Sequence, residues 1–194
     1  MAADDSPAMP QGVRPRGRLA AGADPRGVGM RVLGVDPGTA STGYGLVDTD
    51  GSDGLTLVEC GVLRTAPPAT AAERLLCLHE QLCALIARSR PDAVAVEELF
   101  FSSNVSTALA VGQARGVVLL AAAQARLPVS EYKPNEVKLA LTGYGRADKR
   151  QVQDMLRLIL GLSAPPRPDD AADGLAVALC HLRTARLRQL SGKP

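Results

Sequence analysis

The sequence predicts an α/β fold in which helices flank a five-stranded mixed sheet. From Met30 the chain opens with three short strand-like runs on tight connections, and tight connections imply antiparallel neighbours. After Thr70 helical and strand periods alternate, and a strand reached through a helix lies parallel to another strand of its sheet. With 194 residues, 46% of them hydrophobic, the chain can bury one substantial core but not two large ones, which excludes two-domain kinases and synthetases.

Each element has its own signal. Val32 to Val35 is a short apolar run stopped by the turn Asp36-Pro37-Gly38, and Gly43 to Val47 and Leu55 to Leu63 are two further strands. Thr70 and Glu73 make a capping box, after which Leu75, Leu78, Leu82 and Leu85 recur at helical spacing to about Arg88. Ala93 to Val96 is a buried strand ending at Glu97 and Glu98. A small-residue helix from about Val105 to Arg126 carries Ala108, Gly112 and Gly116 at four-residue steps that allow close packing, either in the core or at a dimer seam. Pro128 to Tyr132 is the fifth strand, Lys133 to Thr142 a short helix, and Val152, Met155, Leu156 and Ile159 mark another helix that ends at Gly161. After the Pro165-Pro166-Arg167-Pro168 stop, Asp169 can cap a last helix reaching about Arg188.

Residues 1–29 are rich in Pro, Gly and Arg and poor in large apolar groups, so they are expected to be a disordered extension. Met30 is a plausible alternative start. The expected domain is 30–190, with 191–194 a flexible tail. Between Met30 and Leu182 the chain has 14 bases against 17 acids, so a polyanionic partner needs a local basic patch. The best candidate runs from Lys133 to Arg157, where Lys133, Lys138, Arg146, Lys149, Arg150 and Arg157 face only Glu136, Asp148 and Asp154. Cys60, Cys77, Cys83 and Cys180 form no C-x-x-C pair, which points away from zinc and disulfides and toward a reducing cytoplasm. No uninterrupted apolar run approaches a membrane span.

The chemistry sits where carboxylates interrupt this apolar scaffold. Asp36 ends the first strand and Glu97 the fourth. If these strands are parallel neighbours, both acids leave the sheet at the edge where open α/β folds place their sites. Asp170 and Asp173, three residues apart at the start of the last helix, share a face. Taken singly, an Asp before Pro-Gly is turn chemistry and Asp170 is helix capping. Asp173, however, lies between Ala171-Ala172 and the apolar Leu175 to Leu179, where an unpaired charge is costly. Two carboxylates ~4 Å apart repel by about 4 kcal/mol at an effective dielectric of 20, so the cluster calls for protonation or cations. Oxygen ligands without His or Cys favour Mg²⁺ or Mn²⁺, and two such ions suit phosphodiester hydrolysis.

The series Leu33-Gly34-Val35-Asp36-Pro37-Gly38, Thr42-Gly43-Tyr44-Gly45, Ala95-Val96-Glu97-Glu98-Leu99-Phe100, Gly112-Gln113-Ala114-Arg115-Gly116, Val137-Lys138 and Asp170-Ala171-Ala172-Asp173-Gly174-Leu175-Ala176 resembles the RuvC family of bacterial Holliday junction resolvases. The resemblance implies an RNase H-like fold, a homodimer, and Mg²⁺-dependent paired nicking of four-way junctions in recombination and repair. It makes Asp36, Glu97, Asp170 and Asp173 the metal-binding catalytic acids, with two Mg²⁺ per site and Mn²⁺ as a substitute. Lys138 and Lys149 match basic residues around the family's active site. Arg150 of the same patch and Arg115 of the Gly112–Gly116 block are further DNA-binding candidates, and Phe100 takes the place of an aromatic that stacks on an unpaired base. His181 is left outside the site. The implied partners are four-way junction DNA, a second copy, and the RuvA and RuvB branch-migration complex, with no membrane. The alternative is a YqgF-type RNase H-like nuclease acting on RNA or other branched nucleic acid. Actin-like ATPases share Asp-x-Gly but need a second domain and a second phosphate loop.

Overall fold

The computed structural model describes residues 29–51, 54–66, 69–98 and 105–191. The expected extension before Gly29, the tail 192–194 and Phe100 lie outside the described residues. The elements follow the predicted order. They are β1 (Met30–Asp36), β2 (Ser41–Thr49), β3 (Leu55–Arg64), α1 (Ala71–Ser89), β4 (Ala93–Glu97), α2 (Val105–Gln124), β5 (Val129–Tyr132), α3 (Pro134–Thr142), α4 (Lys149–Ile159) and α5 (Asp169–Leu190). The sheet order is β3-β2-β1-β4-β5, with β2 antiparallel to β1 and β3, and β4 parallel to β1 and β5. The mixed sheet is therefore as predicted, and its parallel half begins at the central β1.

Pleating divides the side chains of β1 between two cores. Leu33 and Val35 point toward α1 and α2 with Tyr44, Leu46, Leu78, Leu82, Val94, Val96 and Val118. Val32 points toward α5 with Val47, Ala95, Tyr132, Leu175 and Leu179. Asp36 is four residues beyond Val32 and so emerges on the α5 face.

Helix boundaries follow local chemistry. The Thr70–Glu73 capping box forms as predicted, and α1 ends one residue past the expected Arg88. The start of α4 has a second capping box, Asp148 with Gln151, that places the first turn at Lys149. At α5 the expected cap is corrected. Asp169 is the first helical residue, its carboxylate accepts from Gln153 Nε2 (3.0 Å) and Arg167 Nη1 (2.5 Å), and the amide of Ala171 donates instead to the Pro168 carbonyl. All four cysteines are free.

By length and hydropathy alone α2 would suffice to cross a membrane. Here it lies on the sheet instead, with Ala114, Val118, Ala121 and Ala122 buried and Arg115 ion-paired to Glu131 of β5.

Candidate active site

Register brings the first two acids together. Val35 of β1 is the partner of Val96 of β4, so Asp36 and Glu97 end adjacent parallel strands side by side. Glycine brings the other two. A Cβ on Gly43, the partner of Asp36 on β2, would lie 1.8 Å from the Asp170 carbonyl oxygen, and one on Gly34 would lie 2.3 Å from Gly174 O and Ala178 N. On the helix, a Cβ on Gly174 would lie 2.5 Å from Tyr44 Cα. Side chains at these positions are sterically excluded, and α5 rests backbone to backbone on β1 and β2. That contact sets Asp170 and Asp173 over the strand ends.

The electrostatics record the crowding. Glu97 is raised to about 8, first by burial, then by the charge of Asp36 and the hydrogen bond it makes to Asp36, with Asp173 adding to the rise and Lys138 opposing it. Asp36 is raised to about 6, again first by burial, with the Glu97 hydrogen bond and Lys149 pulling down against the charges of Asp173 and Asp170. Near neutral pH, Glu97 is therefore the proton donor of the pair and Asp36 the acceptor.

Lys149 at the start of α4 reaches across to α5, with Nζ 3.0 Å from Asp173 Oδ2 and 3.7 Å from Asp169 Oδ2. Burial works against its charge, but these carboxylates outweigh it and hold its pKa above the usual lysine value. Among the described residues, no three acid, His or Cys side chains are closed around a single point. The acids converge within electrostatic reach, two sharing a proton and one held by an ammonium.

This arrangement fits divalent metal. The donors are carboxylate oxygens, the set suited to Mg²⁺ or Mn²⁺. Two of them ionise only with difficulty when no cation is near, and Lys149 already stands where positive charge is needed.

The comparisons with known proteins decide the family. Residues 32–181 match the model of the crossover junction endodeoxyribonuclease RuvC. A RuvC from Chloroflexus aggregans is 60% identical over 163 residues, covering 84% of this chain and 99% of that protein. One from Pelotomaculum thermopropionicum is 57% identical over 152 residues, 78% of this chain and 92% of that protein. The chain belongs to the RuvC family. Thermus thermophilus RuvC, solved in complex with a Holliday junction substrate, superposes with a TM-score of 0.77 at 44% identity, covering 81% of this chain and 96% of that one. The yeast mitochondrial resolvase Ydc2, at 14% identity and TM-score 0.59 over 82% of each chain, shares the fold. The fold is RNase H-like, as the resemblance implied, and a YqgF-type identity is not favoured.

Around these acids the other candidates are distributed unevenly. Lys138 on α3 is half-buried and acts on Glu97. Arg150 is exposed beside Lys149. Arg115 lies on the far side of the sheet, because its partner Glu131 is the register mate of Val96, not of Glu97. Its Nε is buried without a hydrogen-bond partner. His181, which the sequence reading leaves outside the site, meets the Tyr132 hydroxyl at Nδ1 (2.9 Å), and burial lowers its pKa.

Three features of the site escaped sequence reasoning. The Lys149–Asp173 bridge joins residues 24 apart and has no local signature. The Asp148–Gln151 box was legible as S/T/D-x-x-E/Q but passed for a mixed charge run. The glycine contact with α5 was visible only as motif glycines.

Proposed function

We propose that this chain resolves four-way DNA junctions by paired phosphodiester hydrolysis, with Asp36, Glu97, Asp170 and Asp173 as the metal-holding catalytic acids. The observation that carries the site assignment is the Asp36–Glu97 pair at adjacent strand ends beneath the first turns of α5, where burial and like charge hold both carboxyls above their ordinary values. Two Mg²⁺ ions held by these oxygens, with Mn²⁺ able to substitute, would supply an activated water and stabilise the leaving oxygen. To hold these ions Glu97 would be ionised and Asp173 would be free of Lys149. Lys149 would then hold a phosphate of the scissile strand, as would Lys138 beside Glu97 from α3. Arg150 extends this track. Phe100 is proposed to stack on an unpaired base and Arg115 to contribute to DNA binding from the β5 side.

Symmetric incision of a near-two-fold substrate is most simply made by two identical sites, so the working unit is proposed to be a homodimer. The outward face of α2 supports this. Val105, Leu109 and Leu120 are 80%, 65% and 51% exposed, and Gly116 between them has nothing within 4 Å of where a Cβ would stand. These residues fall on one side of the helix, opposite the buried Ala114, Val118 and Ala121. The small-residue stripe thus makes no close packing within its own chain at Gly116. Family membership implies RuvA and RuvB as further partners, and free thiols suit a reducing cytoplasm.

The test is a labelled mobile four-way junction with Mg²⁺ and either the native chain or Asp36→Asn. Paired ligatable nicks should fall on the order of a thousand-fold or more in the variant while junction binding persists. Undiminished cleavage by Asp36→Asn would remove the acid cluster from the reaction.

A further inference from the structure

Beyond the acids, α3 and the turn that follows it border an open groove of about 440 Å³ lined by Asn135, Leu139, Tyr144, Gly145 and Arg146. It is apolar inside and basic at its rim. Leu139 and Tyr144 are 55% and 57% exposed, although the chain has only three Tyr, two Phe and no Trp. The turn that presents Tyr144 is firmly braced. Gly143 takes the left-handed conformation that ends α3, the Thr142 hydroxyl donates to the Lys138 carbonyl (2.8 Å) and accepts from the Tyr144 amide (3.1 Å), and Ala147 N donates to the Tyr144 carbonyl (3.1 Å). Gly145 keeps the groove open, since a Cβ there would stand 3.3 Å from the Asn135 carbonyl oxygen.

The surrounding charge selects the occupant. Arg146 and Arg150 are exposed and have no ion-pair partner among the described residues, and they belong to the segment with six bases and three acids. The same helix α3 carries Lys138, which acts on Glu97, one residue before the groove-lining Leu139.

Resting on the nuclease reading, we infer that this groove is a second DNA station, in which one base of the bound strand stacks on Tyr144 over Leu139 while an adjacent phosphate pairs with Arg146. A volume of this size is within the range of small-ligand pockets and holds a single base with its sugar. Stacking on a pre-braced ring loses little entropy, and aromatic platforms tolerate any base.

The experiment uses the full chain carrying Asp36→Asn and four-way junctions with 2-aminopurine placed at successive positions along the arms. A fluorescence change on binding is expected at one position, kept by a further Tyr144→Phe and lost with Tyr144→Ala, which also weakens junction binding about ten-fold. Arg146→Ala should lower the slope of log affinity against log salt by about one, as expected for one lost phosphate contact. If Tyr144→Ala leaves both affinity and fluorescence unchanged at every position, the station is overturned and a protein ligand is the better occupant. Weaker binding without any change in the fluorescence pattern likewise overturns the stacking. Cleavage of the unlabelled junction by the native chain, with Asp36 and Tyr144 both in place, tests the nuclease reading separately.

Discussion

The two faces of the sheet are finished in opposite ways. On one, the 22-residue α5 lies directly on the backbones of β1 and β2, burying Ala171, Ala172, Leu175, Ala176 and Leu179 at the points where glycine removes side chains from the strands. On the other, α1 buries Leu78, Leu82, Leu85 and Ile86, but α2 buries little beyond Ala114, Val118, Ala121 and Ala122 and turns leucine and valine outward. The first face leaves no room for side chains between α5 and the strands, a rigid seat that suits four converging carboxylates. The second face leaves apolar surface that a lone chain cannot bury. A nuclease that places charges accurately within a chain and, on the homodimer reading proposed above, pairs with another chain has reason to treat its faces this way.

The largest effect should come from breaking the tight face. Gly43→Val would drive a branched side chain into the Asp170 carbonyl, so the first turn of α5 must lift away from Asp36. Overpacking of this kind costs about 3 kcal/mol, and a displacement of ~1 Å at the acids costs on the order of a hundred-fold in rate. Thermal unfolding and single-turnover junction cleavage should both show the loss, and native-like values for both would mean that the close approach is not needed. The loose face should respond in the reverse sense. Leu109→Glu alters a position exposed within its own chain, so the monomer's secondary structure should stay native. Sedimentation should nevertheless shift from dimer to monomer, and the paired nicks should become single ones. A variant that remains dimeric would exclude the α2 face as the seam.

The contrast also explains what the sequence revealed. The mixed sheet and, on the condition that β1 and β4 are parallel neighbours, the Asp36–Glu97 meeting were legible because apolar runs end abruptly at acids and crossover rules leave few topologies. The Thr70 box was legible because its chemistry is local. The convergence of Asp170 and Asp173 on the strand ends was inferable only in outline, because it depends on how near a helix can approach a sheet, and that distance is set by Gly34, Gly43 and Gly174 from three separate segments. Arg115 shows the same limit from the other side. Its motif neighbours gave no sign that it would be held by Glu131 on the opposite face, because pleat parity becomes known only once the β4–β5 register is fixed. The resemblance placed Lys149 near the acids, but its bridge to Asp173 depends on the packing of α4 against α5, which no local pattern encodes.

A smaller effect sharpens the account of the tight face. In the metal-free protein Asp36 and Glu97 bind protons more tightly folded than unfolded, with values raised from 3.8 to about 6 and from 4.5 to about 8. Between pH 4 and 8 the native state therefore holds more protons than the unfolded chain, so stability falls as pH rises through that window. Without metal the melting temperature should drop on the order of 5 °C from pH 5 to pH 8, after allowance for the charge that remains everywhere else. Asp36→Asn removes one of the paired charges and its burial cost, so the slope should flatten. On the proposed assignment Mg²⁺ is held by the ionised acids, so it should restore stability most at the alkaline end, where the metal-free protein is weakest. The α2 variant Leu109→Glu, by contrast, should leave the effect of Mg²⁺ on the melting temperature intact. A metal-free melting temperature that rises from pH 5 to 8 would mean that the acids do not crowd one another as the strand register and the α5 contact require.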